Sequence, residues 1–268
     1  WRLESALDGV VPRFFAQPPP LGQPYSLHDE YYEYWTVQTP DGVRYTFGYG
    51  REPGTATETN AVQTVPVFAN HSTDPCYSGN PSVSYCQQAY RWNLERVEDA
   101  TGNVQSYFFT RETNKYGRFS TPSNATEYVA NVVLDRVEYT KRAGSEGQGA
   151  PGGIKLVYSR RCTLLSSGCD LPQNAPSTGT ASLYCTKYSP SFFSTHRLIR
   201  SEAWGYDGVS KQISQVNFAH FFSSPPSGES AKLALFAVQP VGAPGASQLV
   251  APAAAFGYTA MANRPGFA

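Results

Sequence analysis

The chain has 268 residues, with 21 lysines and arginines balanced by 21 aspartates and glutamates. A chain of zero formal net charge has no long-range field to draw it to nucleic acid or anionic lipid, so we expect neither as a partner. Aromatic residues make up 14% of the chain, which excludes a disordered protein, and the many glycines and prolines between aromatic and β-branched runs predict an all-β fold.

Residues 1–32 contain a run of three prolines and are predicted to form an extended lead-in. The sequence starts at Trp1 without a basic region or an apolar run, so we expect any targeting peptide to lie outside it and the chain to be a segment of a longer or processed protein. No stretch approaches the roughly 18 apolar residues that a membrane span requires.

The first predicted hairpin follows, with Trp35 in its first strand and the turn pair Asp41-Gly42 at its tip. Asp-Gly between two alternating runs is a strong hairpin signal. The polar residues 51–85 come next and are interpreted as a long excursion from the sheet. Cys76 and Cys86 bracket a Gly-Asn-Pro turn within it and are expected to close a short covalent loop.

The remaining cysteines are Cys162, Cys169 and Cys185, of which the first two bracket a second short loop. None of the five has Cys-x-x-Cys spacing, and of the four histidines only His71 lies within ten residues of a cysteine, which argues against zinc and favours disulfides in an oxidising compartment. The pairing of Cys185 stays open. Asn70 and Asn124 each begin a glycosylation tripeptide, which agrees with an extracellular or cell-surface location.

A second hairpin is predicted from residues 90–99 and 104–112 around the turn Gly102-Asn103. Trp92 and Leu94 would share one face of its first strand. Asp99 starts the turn, and its carboxylate is expected to accept hydrogen bonds from the backbone of that turn.

The stretch Glu-Thr-Asn-Lys-Tyr-Gly-Arg that follows this hairpin has two interpretations. Lys115 and Arg118 could hold a ligand. The favoured interpretation is a loop whose Asn and Thr side chains satisfy local backbone groups, with Tyr116 as its apolar anchor.

Further strands are predicted at 128–141, 154–159, 196–204, 210–222 and 233–238, with a flexible loop between the first two. The last residues are rich in alanine, proline and glycine. The predicted organisation is a lead-in at 1–32, a β-hairpin domain at 33–240 and a tail at 241–268.

The sequence contains none of the common hydrolase, metalloprotease or phosphate-binding motifs. The acidic candidates are Glu95, Glu98 and Asp99, but neighbouring strand residues point to opposite faces, so Glu98 and Asp99 cannot both face one substrate. His220 lies among aromatic residues and is interpreted as a partly buried, hydrogen-bonded histidine. We therefore expect no catalytic activity, no cofactor and no metal.

Three stretches resemble the RHS/YD-repeat family of secreted, actinobacterial-type proteins. They are EYWTVQTPDGVRYTFG at 33–48, CQQAYRWNLERVEDATGNVQSYFFTRETNKYGR at 86–118 and YSPSFFSTHRLIRSEAW at 188–204. They occur in the family's order, and the resemblance covers roughly residues 33–222. It implies successive antiparallel hairpins that form a curved sheet with long loops, as in part of the family's β-shell.

The resemblance also implies a function as a non-catalytic structural segment that helps a larger assembly enclose or display a cargo, with other segments or chains of that assembly as partners. The Tyr-Asp repeat signature is missing, because the residues that begin at Tyr206 match it only poorly. The chain would therefore correspond to the segment ahead of the repeats. The family's self-cleavage motif and toxin domain have no counterpart here.

The alternative is a secreted carbohydrate-binding module, or a remnant of a glycan-active enzyme, with a glycan as partner. This interpretation rests on the abundance of aromatic residues and predicts exposed, coplanar rings on one surface. Trp35, Trp92 and Trp204 all fall within predicted strands, where tryptophan is more often core than binding platform. The interpretation as a structural segment of a β-shell is preferred, because aromatic cross-strand pairs supply buried area and fix the register of a hairpin.

Overall fold

The computed structural model describes residues 11–16, 33–74, 76–80, 83–117, 125–162, 190–223, 231–245 and 247–259. Within them the chain forms strands and one short 3-10 turn at Glu146–Gln148, which confirms the predicted all-β class. The strands are β1 (Val11–Ala16), β2 (Glu33–Gln38), β3 (Arg44–Phe47), β4 (Val62–Phe68), β5 (Tyr85–Trp92), β6 (Leu94–Glu98), β7 (Asn103–Gly117), β8 (Ala125–Arg142), β9 (Gly152–Arg160), β10 (His196–Tyr206), β11 (Ser210–Phe222), β12 (Leu233–Gly242) and β13 (Ala254–Ala255).

Eleven of these strands form one antiparallel sheet in the order β1-β2-β3-β6-β7-β8-β9-β10-β11-β12-β13. Every strand in it pairs with the next along the chain, except that β4 and β5 leave the sheet between β3 and β6 and pair with each other. Its longest pair joins β7 to β8 along the whole of β7. The predicted succession of hairpins is therefore present.

The core lies where the β4–β5 ribbon packs on the β7–β8 pair, at the end of β7 and the start of β8. Tyr116, Tyr128 and Ala130 are buried there, and Val65 and Phe68 of β4 pack against them. Residues 51–85 leave the main sheet, as predicted, but they include strand β4, whose residues are among the most buried of the described chain. The predicted Cys76–Cys86 disulfide is confirmed, and it closes the connection between the two strands of this ribbon.

In both predicted turns the glycine has the expected positive φ, whereas Asn103, which was also expected to have a positive φ, does not. Gly42 and Gly102 adopt φ of +88° and +82°, which side chains with a Cβ rarely tolerate. The Thr39 hydroxyl donates to Asp41 in the first turn. In the second, Asp99 accepts hydrogen bonds from the backbone N–H groups of Thr101 and Asn103, both at 2.9 Å, so this carboxylate serves its own turn.

The predicted strand 90–99 is in fact two strands, because the chain changes partner at Asn93. The Asn93 backbone and side-chain nitrogens both donate to the Ala61 carbonyl at 2.8 Å, and its own carbonyl accepts from the Gly48 N–H at 3.2 Å. Trp92 therefore belongs to the β4–β5 ribbon and Leu94 to the main sheet. At this corner the rings of Trp35 and Trp92 meet edge to face with centroids 5.7 Å apart, above Gly48, where any Cβ would lie 2.3 Å from the Trp92 ring.

The C-terminal third of the sheet is much less covered than the rest. No residue of β10 or β11 is buried, and Val241 is the one buried residue of β12. Three aromatic side chains form a group on this part of the sheet, which we call the Phe221 patch: Phe221, Phe236 and Tyr258, with 38%, 51% and 59% of their surface exposed. Tyr258 lies in the region predicted as a tail, part of which returns as β13 to pair with β12.

Gly153 of β9 offers a test of packing in the middle of the sheet. A Cβ there would lie 2.4 Å from the Val137 carbonyl oxygen and 2.7 Å from the Trp204 ring. We expect Gly153→Ala to lower the free energy of unfolding by about 1–3 kcal/mol through overpacking, as measured by urea denaturation. Gly257→Ala, where a Cβ would meet nothing within 4 Å, is the matched control, and equal losses in the two variants would contradict this packing.

Candidate functional site: a crossing segment and a buried carboxyl

Residues 190–195 immediately precede β10 and cross the β7–β8 pair. We call them the crossing segment. The Tyr128 hydroxyl fixes one end of it, donating to the Ser191 carbonyl and accepting from the Ser191 N–H, both at 2.7 Å. The same hydroxyl accepts from the Asn114 side chain at 3.1 Å. The Phe192 ring packs on Tyr90 and Tyr128, with centroids 4.8 and 5.7 Å apart.

Glu112 of β7 fixes the other end of the crossing segment. Its carboxylate accepts from the Thr195 N–H at 2.8 Å, the Thr195 hydroxyl at 2.7 Å and the Asn131 side chain at 2.8 Å. The His196 Nδ1 lies 2.5 Å from the same carboxylate. Burial pushes the pKa of Glu112 upward, but the hydrogen bonds from His196, Asn131 and Thr195 together hold this pKa below its ordinary value, so the group stays ionised and the connection intact at neutral pH.

The prediction that Glu112 to Gly117 form a loop is wrong, because these residues continue strand β7. Glu112, Asn114 and Tyr116 alternate with Thr113 and Lys115, and the first three face the interior. The alternation of these residues could have indicated a strand in the sequence, but their turn-like composition concealed it. Arg118, Asn124, Cys169 and Cys185 lie outside the described residues. Cys162 forms a disulfide, and Asn70 is exposed beside Asp74.

The ring of His196 has a partner carboxylate, that of Glu112. An imidazole whose Nδ1 faces a carboxylate is the orientation used by catalytic bases and metal ligands. Within the described residues, however, no group of three or more His, Cys, Asp or Glu side chains could hold a metal ion. Burial lowers the pKa of His220, and Arg197 and Arg161 add to that shift.

Glu95 of β6 is the most unusual titratable group of the described chain. It is 2% exposed, and its Oε2 accepts from the Gly50 N–H at 2.8 Å and the Thr59 hydroxyl at 2.5 Å. Its Oε1 is buried without a hydrogen-bond partner. Burial raises the pKa of Glu95 to about 7, against the lowering effect of the hydrogen bonds from Thr59 and Gly50.

Glu95 is one of the residues that line a pocket of about 150 Å³ between the start of the sheet and the loop that follows β3. The pocket is also lined by Tyr34 and Tyr49, whose rings meet edge to face, and by Arg44, Arg51 and Arg96. Burial raises the pKa of Tyr34, so that this phenol stays protonated. Apart from Glu95, the polar side chains of the wall are hydroxyl groups and cations.

Buried ion pairs attach two loops to the sheet. Lys141, with 1% of its side chain exposed, lies 2.5 Å from both Glu52 and Glu138. Arg96 pairs with Glu98 at 2.5 Å and with Glu146 of the 3-10 turn at 2.9 Å. Each buried charge here has an opposite partner, which is the condition under which such charges are tolerated in an interior.

Comparison with known proteins adds little to this geometry. No protein-family profile matches the sequence, and no curated protein matches it. Two crystal structures, of TcdB2-TccC3-Cdc42 and TcdB2-TccC3-TEV, are similar at 12% and 13% identity with TM-scores of 0.38 and 0.40. The N-terminal domain of effector protein SpvB from Salmonella typhimurium is similar at 12% identity with a TM-score of 0.41.

The match to each of those two crystal structures covers 94% of this chain but 13% of the other chain. The match to the SpvB domain covers 80% of this chain and 62% of that domain. At such identities and TM-scores the likeness establishes neither a family nor a function. No helix within the described ranges is long and apolar enough to cross a membrane.

The Tyr128 hydroxyl provides a test of how the crossing segment is held. We expect Tyr128→Phe to lower the free energy of unfolding by about 1–3 kcal/mol, because the Ser191 N–H loses its partner in a partly buried place. Amide hydrogen exchange should accelerate across 190–195. In Tyr107→Phe, which removes an exposed hydrogen bond to Gln105, the loss should stay within about 0.5 kcal/mol. Unchanged exchange in Tyr128→Phe would contradict the proposed attachment.

The raised pKa of Glu95 predicts a specific pH dependence of stability. Because the folded state holds this proton up to about pH 7 and the unfolded state releases it near pH 4.3, the Glu95 contribution falls as pH rises between these values and then stays constant. We expect the stability of Glu95→Gln relative to wild type to increase by up to about 3 kcal/mol from pH 4.5 to pH 8. Glu127→Gln, on an exposed side chain, is the control. Parallel profiles for wild type and Glu95→Gln would refute the shifted pKa.

Proposed function

We propose that the chain is a non-catalytic structural segment of an extracellular RHS-like protein, whose hairpins form part of a β-shell or surface assembly that encloses or displays a cargo. The observation that carries this proposal is the uncovered C-terminal third of the sheet. A sheet face needs a second layer to bury its apolar side chains, and β10 to β12 have apolar side chains but little burial.

The Phe221 patch is the clearest part of this uncovered surface. The Phe221 ring lies 6.3 Å from that of Phe236 and 5.9 Å from that of Tyr258. Contiguous exposed aromatic surface marks places where a protein meets a partner. In a shell the missing layer would be the neighbouring segments, and burial there would stabilise the assembly by about 25 cal/mol per Å² of apolar area.

The order of the strands also supports a role as part of a wall. An antiparallel sheet in which each strand pairs with its sequence neighbour can be extended at its edge by further hairpins without rearranging the strands already present. The free edge that such a sheet exposes attracts pairing with other strands. In a larger assembly that edge is the point where the next segment joins.

The carbohydrate-binding alternative has less support from the described aromatic side chains. A sugar platform needs exposed rings that lie in one plane, but Phe221 and Phe236 stand at 89° to each other, and Phe221 and Tyr258 at 55°. Trp35 and Trp92 pack on each other. Trp204 packs on Gly153.

The native mass of the isolated chain tests the proposal. We expect multi-angle light scattering to show species well above 29.3 kDa as the concentration rises, with sheets or particles in electron micrographs of the same fraction. The double variant Phe221→Ser/Phe236→Ser should lower the mean mass with an unchanged β-type circular dichroism spectrum, because it removes apolar surface from the patch.

Tyr206→Ser provides the control for this variant, since Tyr206 is 58% exposed but lies outside the patch. It should self-associate as wild type does. A stable monomer at all concentrations, with well-dispersed amide resonances, would count against a wall segment, as would an equal effect of the patch and control substitutions.

A further inference from the structure

Residues 249–258, which we call the edge segment, run antiparallel along the outer side of β12 for most of its length. The Gly242 N–H donates to the Leu249 carbonyl at 2.8 Å near one end of this contact. The Phe256 N–H donates to the Phe236 carbonyl at 2.9 Å near the other end. Strand β13 belongs to the edge segment and is the last strand in the order of the sheet.

The side chains of the edge segment are little covered by the rest of the described chain. Every residue of the segment is exposed, and Leu249 is the extreme case at 80%. Tyr258 provides a side-chain anchor, since its ring lies 5.9 Å from that of Phe221 and its hydroxyl donates to the Leu235 carbonyl at 2.7 Å. The edge segment is thus attached by backbone hydrogen bonds and by this tyrosine, and β12 and Phe221 of any copy of the chain offer the same partners.

The C-terminal part of the sheet brings no charge to a contact with a second copy of itself. From Leu233 to Thr259 the sequence has no lysine, arginine, aspartate, glutamate or histidine. Native edge strands are commonly protected by charged side chains, lysine above all, that prevent pairing with another chain. Like charges that face each other across a strand pair are also unfavourable. Two copies can therefore bring β12 and the edge segment together without a repulsive pair.

We propose that the edge segment is exchanged between copies of the chain, so that residues 249–258 of one copy lie on β12 of a second copy. The exchange requires no new kind of contact, because the backbone hydrogen bonds and the Tyr258 anchor are those of the single chain, formed between two chains. The connection between β12 and the edge segment contains Pro244 and Gly245. Gly245 has a φ of +155°, which residues with a Cβ rarely adopt, so this turn is the hinge at which the two arrangements separate.

This inference rests on the proposed function and deepens it, because it names a second copy of the chain as the partner at the C-terminal edge of the sheet. Exchange in both directions closes a dimer, whereas exchange in one direction continues into a row of copies. In both cases Phe221 and Phe236 of one copy receive the tyrosine of their patch from the neighbouring copy.

Two single-substitution variants test whether the edge segment is exchanged. Ala237 of β12 and Ala255 of the edge segment are directly opposite each other, and opposite residues of an antiparallel pair are about 4.5–5.5 Å apart, a distance that a disulfide spans. Ala237→Cys and Ala255→Cys are purified separately, mixed and oxidised mildly. A disulfide between positions 237 and 255 then joins two different chains. We expect this linked dimer, identified by mass spectrometry, at a yield that rises with protein concentration.

Ala219 supplies the matched control, because it lies directly opposite Ala237 on the other side of β12. It belongs to β11, which is paired on both sides and keeps its place in the exchange. A mixture of Ala219→Cys with Ala237→Cys should give about tenfold less linked dimer, because β11 is released only when both of its strand pairs open.

The hinge provides a second test. Gly245→Val, introduced into both cysteine variants, should raise the yield of the 237–255 link by about fivefold, because a Cβ makes the closed turn unfavourable. Gly257→Val is the control, since a Cβ at Gly257 would meet nothing within 4 Å. It should leave the yield unchanged.

Three outcomes would overturn the exchange. The first is the absence of the 237–255 link in the mixture while the double variant Ala237→Cys/Ala255→Cys forms it within one chain. The others are equal yields in the Ala219 and Ala255 mixtures, and a Gly245→Val yield no higher than that of Gly257→Val. If the double variant forms no link, the mean mass by light scattering decides: a higher mass for Gly245→Val than for Gly257→Val supports the exchange, and equal masses refute it.

The same samples separate this inference from the role in a shell. Linked dimers without larger particles would support the exchange and count against the shell. Larger particles without the 237–255 link would support the shell and overturn the exchange.

Discussion

A carboxylate that leaves water loses hydration worth several kcal/mol unless donors replace it, and four buried glutamates of this chain accept contacts from donors in other segments. Glu52, Glu95, Glu112 and Glu146 are each at most 6% exposed. Their partners come from distant parts of the chain: Lys141 for Glu52, Thr59 and Gly50 for Glu95, Thr195 for Glu112 and Arg96 for Glu146. Each of these contacts attaches a connecting segment to the sheet.

Residues of three stretches, 33–48, 86–118 and 188–204, connect distant parts of the sheet. Glu112 and Asn114 of the second stretch reach the crossing segment of the third, through Thr195 and through the Tyr128 hydroxyl. Trp35 of the first stretch meets Trp92 of the second. These residues are therefore the contacts by which the corresponding parts of the sheet meet one another. This physical role holds whether the chain acts in a shell or alone.

Local features of the fold were predictable from the sequence, and long-range features were not. Asp41-Gly42 and Gly102-Asn103 place two turns correctly because turn geometry depends on a few adjacent residues. Strand β4 was missed because Pro66 and its polar residues are typical of a loop. The change of partner at Asn93 depends on the Ala61 carbonyl, and the Glu112–Thr195 contact joins residues 83 positions apart. No local pattern encodes contacts of this kind, nor the unpartnered oxygen of Glu95.

The sequential pairing of the strands has a consequence for the order in which the molecule can form. Each new strand of the sheet needs only the strand before it as a template, so the sheet can grow in the direction in which the chain emerges during synthesis or export, with little loop-closure entropy at each step. The contact between Glu112 and Thr195 is different, because it forms only after β8 and β9 have been laid down and the chain has returned to β7. Growth of the sheet is thus gradual, and its attachment by the crossing segment is a late and separate event.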